Sequence, residues 1–313
     1  MTPKYRTITT GRIRFEGPDA ASFLHALVTN DVAGLAPGQG AYAAWLTPQG
    51  RMITDLRLLR EDGRVLAEVP GGMSAALAAR FDQLIFSEQV QVIDDTESTR
   101  AIAVFGDGAV DVVAAVTGIP AGSLASLPLL GHLSAGDVRV VRTDDMAGPA
   151  FAIWMPASKR ESVAEALVAA GASEASAELV DALRIEAARP LFGVDMTTET
   201  IPLEANLLDR AISTTKGCYV GQEVIVRILH RGGGRVAKRL VQLVADPGAG
   251  TVPAAGAPVL DQGREVGAVT SAAIGPASGR VTALAMVHRD SAEPGRALVA
   301  GSGVPMTVSR QTT

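Results

Sequence analysis

The stretch KGCYVGQE, residues 216–223, contains the only cysteine of the 313-residue chain. Beyond it, apolar residues recur at helical spacing as far as Leu229, and three glycines follow at 232–234. The pattern predicts a loop that leads into an amphipathic helix ending at these glycines. We therefore expect Cys218 at the N-terminus of the helix, where free backbone N–H groups and the nearby Lys216 favour a thiolate.

Two interpretations of Cys218 stay open on this basis. A single cysteine is often a small buried hydrophobic residue whose thiol takes part in no chemistry. The other interpretation makes Cys218 a reactive catalytic thiol with Lys216 as its partner, because a cation beside a thiol stabilises the reactive thiolate form. The residues alone do not decide between these two interpretations.

The composition indicates a soluble globular protein, with 47% hydrophobic and 19% charged residues. A formal net charge of −5 gives no general attraction to nucleic acids or anionic membranes, so we expect neither as a partner. The N-terminus lacks an apolar signal core, and no stretch is long enough to span a bilayer, which predicts a cytoplasmic protein. One cysteine and four scattered histidines exclude an internal disulfide and argue against a metal site.

Residues 1–98 predict a first α/β subdomain. A strand ends at Gly17, and an apolar stripe through Phe23, Leu24 and Leu27 predicts the helix that follows it. Alternating apolar residues then predict further strands. The remaining predicted elements are strands at 41–46, 52–59, 64–69 and 90–93, and a helix at 74–84.

Residues 99–234 repeat this order and predict a second α/β subdomain. A strand at 101–105 runs into Gly106 and Asp107 and then into a helix, as the first subdomain does at Gly17. An apolar periodicity that Pro190 interrupts predicts a helix at 176–189, and a long irregular loop follows it. Long ordered loops in compact domains are often functional, so this loop is a candidate site.

Residues 235–313 change to short β segments separated by Gly and Pro turns, which predicts a small antiparallel barrel. The predicted strands lie at 239–244, 258–260, 264–271, 281–287, 297–300 and 306–310.

KGCYVGQE with Arg227 resembles the signature of the YgfZ-type folate-binding proteins, relatives of the glycine-cleavage T protein, an aminomethyltransferase. The turn 48–51 and the run 201–204 occur in the same order as in that family. The resemblance implies an α+β fold of duplicated α/β folate-binding subdomains followed by a C-terminal antiparallel β-barrel. It also implies tetrahydrofolate or a one-carbon derivative as cofactor, and iron–sulfur enzymes or their assembly proteins as partners.

The resemblance implies particular folate contacts as well. Glu204 matches the position where T-like proteins place a pterin-binding acid, because one carboxylate can accept from two adjacent pterin N–H groups. Arg227 could pair with a carboxylate of the folate tail, and Tyr219 is a further candidate contact. Trp45, like Tyr42 and Trp154, could stack on a folate ring or belong to the core.

One departure from the family bears on activity. T proteins carry paired aspartates where this chain has Thr54 and Asp55. Because neighbouring strand residues face opposite ways, Asp55 is not expected to replace the missing carboxylate. The main interpretation is therefore a tetrahydrofolate-binding accessory protein that supports assembly or repair of iron–sulfur enzymes. The alternative is a folate-dependent aminomethyltransferase or methyltransferase of the T-protein type, and a folate-binding module without chemistry is a third possibility.

Overall fold

The computed structural model describes residues 1–312. The chain forms two units, and each contains segments that are distant in sequence. Unit 1 consists of Met1–Trp45, Asp55–Ser176 and Thr214–Tyr219. Unit 2 consists of Leu46–Thr54, Ala177–Ser213 and residues 220–312. The three-part division of the chain at residues 98 and 234 stays a prediction.

The first α/β repeat builds a five-stranded sheet in the order β3-β4-β5-β2-β6. Its core is aromatic: Phe15 packs edge-on against Phe81, with ring centroids 5.0 Å apart. The predicted elements of this repeat are present. They follow a short N-terminal strand, and the full set is β1 (Lys4–Ile8), β2 (Gly11–Glu16), α1 (Ala20–Leu27), β3 (Gly40–Leu46), β4 (Met52–Glu61), β5 (Arg64–Val69), α2 (Ser74–Asp82) and β6 (Gln91–Asp94).

The second repeat builds a six-stranded sheet in the order β11-β1-β7-β10-β9-β8. Buried apolar residues such as Ile102, Phe151 and Ile153 pack with its helices into one core. Its elements are β7 (Thr99–Phe105), α3 (Ala109–Thr117), α4 (Ala121–Ala125), β8 (His132–Ala135), β9 (Val138–Thr143), β10 (Ala150–Pro156), α5 (Arg160–Ala169) and β11 (Ser173–Glu174).

The two sheets share one strand order, which confirms the predicted duplication. Counted from β8, the second sheet runs β8-β9-β10-β7-β1-β11, which is the order β3-β4-β5-β2-β6 with β1 inserted before the last strand. The strand-to-helix turn is shared too, since Gly17 and Gly106 have φ angles of 126° and 96°. A Cβ at Gly17 would lie 2.1 Å from the Gln89 carbonyl oxygen, so this turn requires glycine.

The C-terminal barrel confirms the remaining part of the predicted fold class. Its six strands close in the order β12-β15-β14-β13-β16-β17 around a core of small and branched apolar residues. The described helices of residues 1–312 include none long and apolar enough to cross a membrane. The elements of unit 2 are α6 (Ala177–Glu186), α7 (Leu208–Ala211), α8 (Gln222–Arg231), β12 (Lys238–Ala245), β13 (Pro258–Asp261), β14 (Arg264–Ile274), β15 (Val281–His288), β16 (Ala297–Ala300) and β17 (Val304–Gln311).

Candidate functional site

Lys216 ties the cysteine motif to the first repeat within unit 1. Its ammonium nitrogen donates to the carbonyl oxygens of His25, Val28 and Asn30, the last two at 2.7 Å and 3.2 Å. These carbonyls belong to the end of α1 and the turn after it, so the lysine holds this turn in place. Burial lowers the pKa of Lys216 to about 8, against the opposing charge of Asp31.

Cys218 is exposed and Tyr219 beside it is buried. The Lys216 nitrogen lies 5.0 Å from the centre of the Tyr219 ring, and burial raises the pKa of this tyrosine to about 12. Helix α8 begins only at Gln222, after Gly221 with a φ of 84°. The predicted location of Cys218 at the helix N-terminus is therefore wrong: the left-handed glycine delays the helix, and the thiol lies on the irregular segment before it.

Gly221 and Gly50 are both required where α8 approaches the turn 47–50 in unit 2. A Cβ on Gly221 would lie 2.5 Å from the Thr47 carbonyl oxygen, and one on Gly50 would lie 2.8 Å from Val224 Cβ. Both glycines also have positive φ angles. Two motifs far apart in the sequence thus meet through backbone contact, which gives a structural reason for their glycines.

Asp55 is a half-buried carboxyl group on the first sheet. Tyr42 on β3 donates its hydroxyl to Asp55 Oδ2 on the neighbouring β4, at 2.7 Å. Burial raises the pKa of Asp55, while the Tyr42 hydrogen bond and the charge of Arg57 oppose that rise. Thr54 is fully buried on the other face of the strand, in agreement with the expected alternation.

Arg57 connects Asp55 to further charged groups. Its guanidinium donates to Glu68 Oε1 at 2.6 Å and also to Asp145, which follows β9 of the second sheet. Burial opposes the charge of Arg57, but Asp145, Glu68 and Asp55 raise its pKa above the ordinary value. We call Tyr42, Asp55, Arg57, Glu68 and Asp145 the Asp55 network. A carboxyl that keeps its proton above the usual range and is oriented by a phenol suits general acid–base chemistry.

The other predicted folate contacts occupy different surroundings. Glu204 is half-buried, and its Oε2 accepts the Ile201 N–H at 3.0 Å within a turn of unit 2. Arg227 is exposed on α8. Trp45 is 2% exposed, and its ring stacks on Phe81 with centroids 4.0 Å apart. Of the two roles that the sequence allowed for Trp45, stacking on a folate ring or packing in the core, the structure shows packing in the core.

Sequence patterns alone did not predict the Asp55 network. The available signal was the charged pair Asp55 and Arg57 within the mainly apolar run 52–59. Because the two residues are two positions apart on a strand, their side chains lie on one face. Glu68, also on an apolar strand, was the second sign. Within residues 1–312 no group of three or more His, Cys, Asp or Glu side chains is placed to hold a metal ion.

Comparison with known proteins is consistent with this architecture. Residues 7–216 match the GCVT N-terminal domain, and residues 238–312 match the glycine cleavage T-protein C-terminal barrel domain. An aminomethyltransferase of Saccharopolyspora erythraea is 31% identical over 95% of this chain and 83% of its own length. One of Rubrobacter xylanophilus is 30% identical over 95% and 79% of the two chains.

A solved structure supports the same assignment for the fold. The crystal structure of glycine cleavage system aminomethyltransferase T from Bartonella henselae superposes with a TM-score of 0.87 at 24% identity, over 100% of this chain and 88% of that one. The relatives carry the name aminomethyltransferase rather than that of the YgfZ branch. With its duplicated sheets, its closed barrel and both matching domains, the chain belongs to the glycine cleavage T-protein family.

Proposed function

We propose that this protein is a tetrahydrofolate-dependent aminomethyltransferase or methyltransferase of the T-protein type. Aminomethyltransferases of its family bind tetrahydrofolate, and the relatives that cover most of the chain bear that name. The observation that carries the proposal is Asp55, a carboxyl with a raised pKa held by the Tyr42 hydroxyl. The comparisons favour this alternative over the accessory role inferred first from the cysteine motif.

The proposed chemistry needs a group that moves a proton. Transfer of a methylene group from an aminomethyl-lipoyl donor to two folate nitrogens breaks the C–N and C–S bonds of the donor and releases ammonia and the lipoyl thiol. The two protons lost by the folate nitrogens balance the two gained by these leaving groups. The amine nitrogen of the donor must therefore gain a proton as it leaves. Asp55 is suited to hold this proton because burial disfavours its charged form. With Thr54 in place of the first of the paired family aspartates, the proposed acid is Asp55, which lies on the opposite face of β4 and so acts from a different position than the missing carboxylate would.

The remaining contacts with folate are proposals of the same kind. Glu204 would accept from the two adjacent pterin N–H groups, and Arg227 would pair with a tail carboxylate. Tyr219, which is buried, is proposed as a further contact. Trp45 would not contact the ligand directly, because its ring is already stacked on Phe81; it would support the site by packing in the core.

The test is a transfer assay with the full chain. Purified protein is mixed with tetrahydrofolate and an aminomethyl-lipoyl donor, and ammonia release and methylene-tetrahydrofolate are measured together with tetrahydrofolate affinity by calorimetry. We expect binding and catalytic turnover. Binding without turnover would contradict the transferase proposal and favour the second candidate.

The second candidate is the YgfZ-type accessory role in assembly or repair of iron–sulfur enzymes, with those enzymes or their assembly proteins as cytoplasmic partners. Its supporting observation is the exposed Cys218 in KGCYVGQE, since one accessible thiol can form a transient mixed disulfide or supply one ligand of a shared cluster. Cells that carry Cys218→Ala would lose iron–sulfur enzyme activity while the protein accumulates normally. Full activity in those cells would remove this candidate.

A further inference from the structure

A cavity lies in unit 1, between strands of the two sheets, apart from the Asp55 network. Its volume is about 390 Å³, a size typical of small-molecule sites. Neither Tyr42 nor Asp55 lines it. Four arginines and one tryptophan dominate the lining: Arg12, Arg14, Arg64, Arg139 and Trp154. We call it the arginine cavity.

The arginine cavity contains hydrogen-bond donors that no protein atom satisfies. Arg12 and Trp154 are 4% and 6% exposed, and the Arg12 guanidinium lies 4.5 Å from the centre of the Trp154 ring. Arg12 Nε and Nη2, Arg139 Nε and Trp154 Nε1 are all buried without a hydrogen-bond partner among the described residues. Every one of these groups is an N–H donor, so at this part of the cavity the donors outnumber the acceptors that reach them.

The carboxylates near the cavity are already engaged. Asp95 accepts from Arg14 at 2.5 Å, and Asp137 accepts from Lys159 at 2.5 Å. Their oxygens hold cations in place and do not reach the unpaired donors of Arg12 and Trp154. These two acids therefore do not supply the missing hydrogen-bond acceptors for Arg12 and Trp154.

Two further carboxylates are shared between arginines. Glu61 accepts from both Arg64 and Arg139, while Glu68 lies 3.6 Å from Arg12 and also binds Arg57. Sharing leaves part of each guanidinium without an anionic partner. Burial lowers the pKa of Arg12 and lowers that of Arg139 to about 10, which is the response of a buried cation whose charge is incompletely balanced.

We propose that the arginine cavity binds a small organic oxyanion, a carboxylate or a phosphate, whose oxygens accept from Arg12, Arg139 and Trp154. Arginine guanidinium groups match the geometry of both anions, and an indole N–H adds one further directed donor. The site is additional to the proposed folate site and does not depend on it.

The test uses the two tryptophans of the chain as reporters. Full-length protein with ¹⁵N-labelled indoles is titrated with inorganic phosphate and, separately, with succinate, without folate. Trp154→Phe assigns the indole signals. We expect the Trp154 signal to move saturably with at least one probe while the Trp45 signal stays, and the tighter probe identifies the anion class.

Three variants test the donors by calorimetry. Arg12→Gln should weaken probe binding by about tenfold or more, because it removes a charged hydrogen bond. Trp154→Phe keeps an aromatic ring under Arg12 and removes only the N–H donor. This variant should bind the probe several-fold more weakly than the wild type. It remains informative if Arg12→Gln does not fold. Arg160→Gln makes the same charge change at a side chain that is 41% exposed, and should leave affinity unchanged.

Three results would overturn the proposal. An unmoved Trp154 signal with both probes would mean that water alone fills the cavity. Equal affinity in Arg12→Gln, Trp154→Phe and Arg160→Gln would mean adventitious surface binding. In the third result, one equivalent of tetrahydrofolate per protein displaces the probe and shifts the Trp154 indole signal in the same way. The cavity would then be part of the folate site.

Discussion

The Asp55 network and the cysteine motif differ in how they are built. The network gathers side chains from β3, β4, β5 and the segment after β9, and its central acid is half-buried. The motif is one continuous stretch that ends in an exposed thiol. A contiguous motif can be recognised in a sequence, whereas a site assembled across two sheets becomes visible only when the strands are paired. The two regions also support different functions, so experiments on each can separate them.

The largest effect is expected at Asp55. Asp55→Asn keeps the shape of the side chain and removes the proton that the proposed transfer needs, so the turnover rate should fall by about 10²- to 10⁴-fold. The rate is measured as methylene-tetrahydrofolate formed per enzyme. Asp62→Asn, at an exposed turn next to β4, is the matched control and should retain full activity. Equal rates in the two variants would mean that Asp55 has no part in transfer.

The pH dependence of stability tests the raised pKa of Asp55 directly. The folded-state pKa of Asp55 is raised, so the folded protein keeps this proton at pH values where the unfolded chain has lost it. The group therefore stabilises the fold fully below its unfolded pKa, and this contribution is lost as the pH rises through the folded pKa. Urea unfolding across that window should show a stability decrease in the wild type that is absent in Asp55→Asn. Parallel curves would contradict the raised pKa.

Lys216 tests the motif as a structural element. Lys216→Met removes the ammonium group that donates hydrogen bonds to three backbone carbonyl oxygens. We therefore expect the free energy of unfolding to fall by about 2 kcal/mol or more. Urea denaturation measures the change. Lys238→Met alters an exposed lysine and should stay within about 0.5 kcal/mol of the wild type. If Lys216 is purely a catalytic partner of the thiol, both variants will be equally stable.

Glu204 carries the predicted pterin contact. Glu204→Ala should weaken tetrahydrofolate binding by about tenfold or more, because charge-assisted hydrogen bonds are lost. Glu204 also accepts the Ile201 N–H, so unfolding is measured in parallel to exclude a loss of the turn. Glu223→Ala, an exposed acid at the start of α8, serves as control. Unchanged affinity in a stable Glu204→Ala protein would remove this residue from the folate site.

The smallest effect on stability is expected at Cys218. Cys218→Ala should change the free energy of unfolding by less than about 0.5 kcal/mol, since the thiol is exposed. Rapid alkylation by iodoacetamide near neutral pH, slowed by bound tetrahydrofolate, would connect the motif to the ligand. Slow alkylation that folate does not affect, together with full function of Cys218→Ala, would leave the cysteine motif with a structural role alone.

Much of the fold follows from short-range patterns. The alternation of buried and exposed residues on β17 and the apolar stripe of α1 depend only on nearby residues, and the Gly-rich turns delimit the barrel strands, so these elements could be predicted closely. Strand β1 could not, because it has no partner nearby in sequence and pairs with β7 about a hundred residues later. The sequence shows where Cys218 stands in the chain, but not that it lies before α8, because the start of α8 depends on the left-handed conformation of Gly221. Tyr42 and Asp55 meet only because β3 and β4 are neighbours in the sheet.

The division of the chain between the two units has a consequence for protein synthesis. Unit 1 includes Thr214–Tyr219, and Lys216 in that segment donates to carbonyls near residue 28. A growing chain must therefore reach residue 219 of 313 before unit 1 can close. At translation rates of about 5–20 residues per second, the turn after α1 waits roughly 10–40 s on the ribosome for its lysine. During that interval the carbonyl groups of this turn lack the donor that Lys216 supplies in the finished protein, so unit 1 is completed late in synthesis although it contains the N-terminus.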